Sequence, residues 1–458
     1  MATDVELAAM DAVETAARIL SKELRPAEVI DAAIARAREA AHLGAVVTDT
    51  YERAGGHPPP AGPLAGVPTF IKDLAQLAGV RTTWGSRGGG DCVAKKSDPF
   101  VARFERTGVV CLGKSATPEL GLTATTESLG REPCRNPWDP ARSTGGSSGG
   151  AACLVAAGVV PLAHASDGGG SIRIPAGCCG LVGFKPSRAA LDMEGSRLLP
   201  VNIAVHGAVT RTVRDTIAFH DAVASRFTTP STEPRGLRIG VFVDAPIGTP
   251  VHPDTRAAVL ASAHLCESLG HHVEEIRCPF DGQVIDDFLA YWGFVAWIQV
   301  KTARLMMHRQ FDRAQLEPWT TGIAGTFVAR RRAAFAAIRR LRRFGTTYAR
   351  IMQAHDVLIC PTTAEPAPAL GHLATDQPFE TGFDRLRSYV PFTPIHNAAG
   401  APAISLPLGR SASGLPIGVQ FAAARGADRM LLELARTIEQ AHPWPLTAPR
   451  ANWQRDGR

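Results

Sequence analysis

Between Ser143 and Ser187 the chain reads STGGSSGGAACLVAAGVVPLAHASDGGGSIRIPAGCCGLVGFKPS. Two serine-centred glycine loops, Gly145 to Gly150 and Gly168 to Ser171, flank an apolar run of small residues from Ala151 to Ala165. Glycine at this density removes the Cβ atoms that would hold a substrate off the backbone, and it permits positive φ. Consecutive main-chain N–H groups can then converge into a nest suited to an anion. A serine at the end of such a nest places a nucleophile beside an oxyanion site, which is what acyl transfer requires. Asp167 and Arg173 flank the second loop with opposite charges and are expected to pair beneath it.

Two other patterns mislead. Gly108-Val109-Val110-Cys111-Leu112-Gly113-Lys114-Ser115 matches the Walker A phosphate loop letter for letter. A helix opening at Asp98-Pro99 precedes it, however, and the intervening residues form an apolar, strand-like run, which disfavours nucleotide binding. Gly145-Gly146-Ser147-Ser148-Gly149 satisfies G-x-S-x-G, which in an α/β-hydrolase sits between a buried strand and a helix. Here the preceding segment Arg135-Asn136-Pro137-Trp138-Asp139-Pro140 is broken by proline and is no central strand. A Ser-His-Asp triad is therefore not expected, and His164 reads as a packed or exposed histidine rather than a base.

The GGSSGG and GGSIR blocks, with Gly66-Val67-Pro68-Thr69-Phe70-Ile71-Lys72-Asp73 upstream, resemble the amidase signature family of serine amidohydrolases. Within that family the likeness is to bacterial amidases and 6-aminohexanoate-cyclic-dimer hydrolase-like enzymes. Ser147 and Ser171 keep the spacing of the family's two serines, and Phe392 to Gly400 resembles its late T-x-x-x-N-x-A-G-x-P block. The likeness runs from about residue 20 to 442 and is weakest between 224 and 355. It implies one α/β/α domain over 1–458 with a large mixed sheet, a catalytic core at 143–187 and a variable specificity region at 224–355.

The resemblance also implies roles: Ser171 as nucleophile, Ser147 on a cis peptide as proton relay, and Lys72 as base. The N–H groups of Gly168, Gly169, Gly170 and Ser171 become the oxyanion hole, with Ser148, Asp167 and Arg173 supporting the serines. Gly168 stands where many family members carry a larger apolar residue, so a slightly wider site is expected. A lysine, with an ordinary pKa of about 10.4, works as a base near neutral pH only if burial disfavours its cation. Successive strand residues face opposite ways, so Asp73 should turn away from Lys72. The implied activity is amide hydrolysis through an acyl-enzyme. Carbamate or aryl ester cleavage by the same residues, or a role as the amidase-like subunit of a glutamine-dependent amidotransferase, remain alternatives.

The elements around these blocks alternate between helix and strand with buried strand runs, which supports an α/β fold independently. Val5–Ser21 and Pro26–Ala41 read as amphipathic helices, and a Gly/Pro-rich loop, 55–66, leads to a strand, Val67–Ile71, that delivers Lys72. Asp98 and Pro99 open a helix to about Thr107 as N-cap and first residue. Ile172–Pro175 and Gly180–Lys185 read as strands. After Arg235 come strand Leu237–Val243, helix Pro253–Leu269 and strand His272–Ile276. Phe288, Tyr291, Trp292, Phe294 and Trp297 read as core, with a substrate-pocket wall as the runner-up. Arg330–Arg350, with eight arginines and no acid, reads as an amphipathic helix with a solvated basic face bearing Phe335, Ile338, Leu341 and Tyr348 inward. Strand Val357–Cys360 leads to Pro361-Thr362-Thr363, a loop able to reach the site. Strands Ala403–Leu406 and Ile417–Phe421 and helix Asp428–Glu439 close the chain.

Composition sets the outer bounds. With 458 residues, 45% hydrophobic and 20% charged, the chain can bury a large core. A net charge of +6 without a basic stripe gives no reason to expect nucleic acid. No uninterrupted apolar stretch is long enough for a membrane span, and Met1–Glu14 lacks the pattern of a signal peptide. Nine dispersed cysteines without a C-x-x-C pair suggest reduced thiols in the cytoplasm, with Cys178 and Cys179 as small buried residues. No metal or cofactor is expected; the expected partner is a small amide or carbamate, with a homodimer possible.

Overall fold

The computed structural model describes residues 3–55, 61–191, 199–224 and 234–453. Part of the 55–66 loop and the first residues of the 224–355 region therefore lie outside the described residues. Thirteen strands are present among the described residues. They are β1 (Val46–Asp49), β2 (Pro68–Lys72), β3 (Val110–Ser115), β4 (Arg135–Asn136), β5 (Asp139–Ser143), β6 (Leu162–Asp167) and β7 (Val182–Lys185). β8 (Val205–Thr210), β9 (Arg238–Val241), β10 (His272–Glu275), β11 (Val357–Pro361), β12 (Ala403–Arg410) and β13 (Pro416–Ala423) complete the set.

Eight of them form one mixed sheet in the order β10-β9-β11-β13-β12-β7-β8-β6. β9 runs parallel to β10 and β11, whereas the pairs from β11 to β6 are antiparallel. A three-stranded sheet, β1-β3-β2, lies beside the β6 edge, with Thr69 donating to the Leu162 carbonyl at 3.1 Å and the Lys72 N–H to His164 at 3.2 Å. Every residue of β2 is buried. The ends of β2 and β6 thus deliver Lys72 and Asp167 to neighbouring points.

Helices Pro253–Ser268 and Asp428–Ala441 cover one face of the large sheet through residues such as Val259, Leu431 and Ile438. The other side holds two short helices, Gly149–Ala156 and Arg173–Cys179, in which every residue is buried. Small side chains make this possible: a Cβ on Gly150 would stand 2.3 Å from the Ala116 nitrogen. Helices Gln283–Met306, Pro318–Ala329 and Arg331–Ile351 form a layer of their own, with Val284, Tyr291, Leu341 and Tyr348 buried.

Several local expectations change. The N-terminal helix is two, Asp4–Ala9 and Ala12–Leu20, broken because the Asp11 carboxylate caps Glu14 and Asp215 takes the Ala12 and Val13 N–H groups. Asp98 stands at a helix N-cap, but its carboxylate accepts from Gln76 instead. Ile172–Pro175 is no strand: Arg173–Cys179 is helical, and Pro175 falls in the first turn, where its missing N–H costs nothing. Phe335 is 56% exposed, and Ala334 and Ala337 take the inner positions of its helix.

Both misleading patterns resolve. The residues before Ser147 belong to the two-stranded hairpin β4-β5, not to the central sheet. Lys114, next to last in β3, is fully buried, its Nζ 2.9 Å from Asp73 Oδ1 and 2.8 Å from Thr82 Oγ1, and is unavailable to a phosphate. Breaking a buried ion pair from one side leaves an uncompensated charge, a cost of about 3–5 kcal/mol. Lys114→Met is therefore expected to lower the unfolding free energy by about that amount. A urea titration at pH 7 that leaves the midpoint unchanged contradicts it.

Candidate active site

Lys72 is fully buried, and hydroxyls surround its Nζ. Ser147 Oγ and Ser148 Oγ lie at 2.8 Å, Ser166 Oγ at 3.1 Å and the Ser166 carbonyl at 3.4 Å. Asp73 faces away and accepts from Lys114 and Thr83. Burial pushes the Lys72 pKa down to about 7, opposed by the more distant Asp167. Ser148 spends its own hydrogen on the Ser166 carbonyl at 3.3 Å and accepts the Ser166 N–H. It can therefore only receive from Lys72, which leaves the lone pair of a neutral amine for another hydroxyl, Ser147 among them.

The main chain of Lys72 is held as well. Its N–H donates to His164 Nδ1, so His164 carries its proton on Nε2 and passes it toward His206 Nδ1 at 2.9 Å. Burial first, then the His206 and Lys72 charges, drives the His164 pKa far down, and the ring is neutral. His164 is thus packed behind the lysine.

The Gly146–Ser147 peptide is cis. A Cβ on Gly121 would stand 3.2 Å from Ser147 Oγ, so that hydroxyl abuts a residue lining the Ser171 cavity. Ser171 is 9% exposed and borders that cavity. Beneath the nest, the Asp167 carboxylate accepts Arg173 Nε and Nη2, both at 3.0 Å, Asn397 Nδ2 at 2.8 Å, and the Gly170 and Ile172 N–H groups at 2.7 and 3.2 Å. Arg173 spends its remaining donors on Thr393 O, Gln420 Oε1 and Asn397 Oδ1. Burial alone would raise the Asp167 pKa, but the Arg173 charge and these donors hold it well below the usual carboxylate range.

One of the four expected oxyanion donors is therefore spent: the Gly170 N–H belongs to Asp167. The N–H groups of Gly168, Gly169 and Ser171 find no acceptor among the described residues. Gly170 still matters through its φ of +133°, and a Cβ there would sit 2.3 Å from Thr393 Oγ1. That hydroxyl donates to the Gly169 carbonyl at 2.7 Å and fixes the loop.

The cavity at Ser171 is small, ≈ 50 Å³, and apolar, with Leu122, Ile174, Phe288, Trp292 and Val390 in its wall. Phe288 and Trp292 stack on each other, ring centroids 5.8 Å apart. Part of the aromatic cluster is thus pocket wall rather than core, while Phe294 and Trp297 pack on Phe327. The space freed by Gly168 is not open: a Cβ there would lie 3.4 Å from the Trp292 indole. Pro361, Thr362 and Thr363 do not line the cavity; Thr362 turns to Ser405 at 2.8 Å. Sequence reasoning missed Ser166. Its signal was the two-residue period of β6, which turns His164 and Ser166 toward Lys72 together.

The depressed Asp167 pKa fixes a pH dependence. An unfolded aspartate titrates near about 3.9, so the carboxylate's contribution is complete above that pH and is lost as pH falls through the lower folded value. Asp167→Asn is expected to be least stable relative to wild type at pH 7, with the gap narrowing at about pH 3 and below. Urea midpoints of both proteins across that range check it; a constant gap contradicts it.

The "Amidase" family model matches residues 17–432. The chain is 42% identical to a putative amidase AmiC of Mycobacterium leprae over 96% of this chain and 97% of that one. It is 33% identical to a 6-aminohexanoate-cyclic-dimer hydrolase of Pseudomonas sp. strain NK87, over 96% of each. A solved 6-aminohexanoate cyclic dimer hydrolase in complex with substrate superposes with a TM-score of 0.86 at 30% identity, covering 98% of this chain and 100% of the other. The chain belongs to the amidase signature family and is a hydrolase of carbon–nitrogen bonds in amides.

Proposed function

We propose that this amidohydrolase cleaves a carboxamide through an acyl-enzyme on Ser171, with Ser147 as proton relay and Lys72 as base. The observation that carries the reading is the buried Lys72 Nζ, 2.8 Å from Ser147 Oγ and with its pKa brought to about 7 by burial. Near pH 7 roughly half of the molecules then hold a neutral amine able to accept a proton.

Ser171 Oγ attacks the carbonyl carbon, and its proton passes to Ser147, whose own proton passes to Lys72. The carbonyl oxygen becomes an oxyanion, which the N–H groups of Gly168, Gly169 and Ser171 are free to receive. As the C–N bond breaks, the proton returns through Ser147 to the leaving nitrogen, so that amine or ammonia departs neutral. Water then attacks the ester along the same route, releasing the carboxylate and restoring Ser171. The aromatic wall from Gln283–Met306 supports a part for the 224–355 region in substrate choice, shared with residues from outside it such as Leu122, Arg387 and Val390. All nine cysteines are free, in keeping with a reducing compartment such as the cytoplasm. No described helix is long and apolar enough to cross a membrane.

Ser171→Ala is expected to lower kcat on an anilide by about 10⁶, as for other serine nucleophiles. The acidic limb of the wild-type kcat/KM profile should fall near pH 7, activity rising as Lys72 loses its proton. Lys72→Arg should not restore activity, because a guanidinium stays charged below a pH of about 12. Lys72→Ala should spare activated esters more than amides, since their leaving groups need no returned proton. Near wild-type anilide turnover by Lys72→Arg removes Lys72 from the mechanism.

A further inference from the structure

The cavity at Ser171 falls far below the roughly 300–1,000 Å³ of ordinary small-molecule sites. Beside it lies a much larger cleft of ≈ 690 Å³ between helices Gln283–Met306, Pro318–Ala329, Arg331–Ile351 and Phe379–Tyr389. Leu289 and Arg387 border both spaces. These are therefore the two side chains past which a substrate seated at Ser171 reaches the larger cleft.

Arg387 is the one charged residue lining the inner cavity among the described residues. Its Nη2 makes a single contact with Asp286 Oδ1 at 2.9 Å, and the two side chains are 35% and 54% exposed. Its other donors find no acceptor among the described residues. In contrast, the neighbouring Arg340 grips Asp287 through both Nε and Nη2. Asp287 is thereby neutralised, while Arg387 keeps donors to offer. A half-exposed, one-point ion pair holds its partner weakly, whereas a planar guanidinium binds a carboxylate through two parallel hydrogen bonds.

On the amidohydrolase reading given above, we infer that Arg387 sets specificity at the joint between the two spaces: it takes a carboxylate on the leaving-group side of the substrate, in exchange for Asp286. The preferred substrates are then amides with a small apolar acyl group and an anionic amine portion reaching into the outer cleft. Asp286 acts as the competing anion. Glu380 and Asp384, which also line that cleft, disfavour anions bound beside them, whereas Arg330 lines it as a further cation away from the inner cavity.

The test uses three butyryl anilides with the same acyl group: neutral 4-nitroaniline, carboxylate-bearing 5-amino-2-nitrobenzoate, and a cationic 4-(aminomethyl)aniline. Calorimetry on full-length Ser171→Ala measures binding without turnover. A hydrogen-bonded charge contact predicts about 10–100-fold tighter binding of the carboxylate anilide than of the neutral one. Adding Arg387→Gln should abolish that preference and leave the neutral affinity within about threefold; Arg387→Lys should keep part of it. Asp286→Asn should tighten the carboxylate anilide further. Equal affinities, a preference surviving Arg387→Gln, tightest binding of the cationic anilide, or no binding of any of the three overturns the inference. Nitroaniline release by the Ser171-intact enzyme is scored separately. Release without carboxylate discrimination sinks the specificity assignment alone; discrimination without release sinks the hydrolytic mechanism alone.

Discussion

The two-point contact between Asp167 and Arg173 joins five separate pieces of chain at one buried spot. Asp167 ends β6, and Arg173 opens the helix that follows the nest. Asn397 and Thr393 bring in helix Thr393–Ala399, Gln420 brings in β13, and Asn397 also donates to the Ile203 carbonyl ahead of β8. Both charges are fully buried, so each is tolerable only while the other is present and its remaining hydrogen-bonding capacity is filled. The arrangement is accordingly saturated. It fixes the Gly170 and Ile172 N–H groups from below, while those of Gly169 and Ser171, two residues that line the cavity, have no acceptor among the described residues.

Two lysines at the ends of adjacent strands show how burial and pairing separate. Lys114 has Asp73 at 2.9 Å and serves as a structural cation. Lys72, one residue from the same aspartate in sequence, has only hydroxyls and a carbonyl around its Nζ. Strand alternation is the cause: it sends Asp73 to the far side and leaves desolvation to set the Lys72 pKa. In the proposed mechanism that isolation is what makes an ordinary lysine a base.

The cavity beside Ser171 is equally a matter of placement. Glycines at 168 and 169 leave room for Trp292 and Phe288, whose ring atoms lie 3.4 and 3.0 Å from where a Cβ would stand, so the cavity stays small although its loop carries almost no side chains. The residues that narrow it come from a helix more than a hundred positions downstream. In the proposed mechanism the loop supplies chemistry, and the distant helix supplies shape.

Those two contributions divide what was legible in the sequence from what was not. Strand alternation separated Lys72 from Asp73, proline in the 135–140 segment ruled out a nucleophile elbow, and the context of Gly108–Ser115 ruled out a phosphate loop. Each depends on residues close in the chain, where backbone geometry translates directly into spacing. The family blocks added the sheet architecture and pointed to Lys72, Ser147 and Ser171. Local reasoning failed where a side chain outside the segment captured its N–H groups. Ile172–Pro175 has the composition of a strand but turns into a helix over the Asp167 carboxylate, and the first helix breaks because Asp215, some two hundred residues away, captures its N–H groups. Gly170 is lost as a donor to a carboxylate only three residues earlier, whereas the turning of Phe288 and Trp292 into the pocket and the position of Arg387 between two cavities were decided only by tertiary structure. The type of a residue fixes what it can donate, accept or fill; which partner arrives first is decided by packing between segments that the sequence keeps far apart.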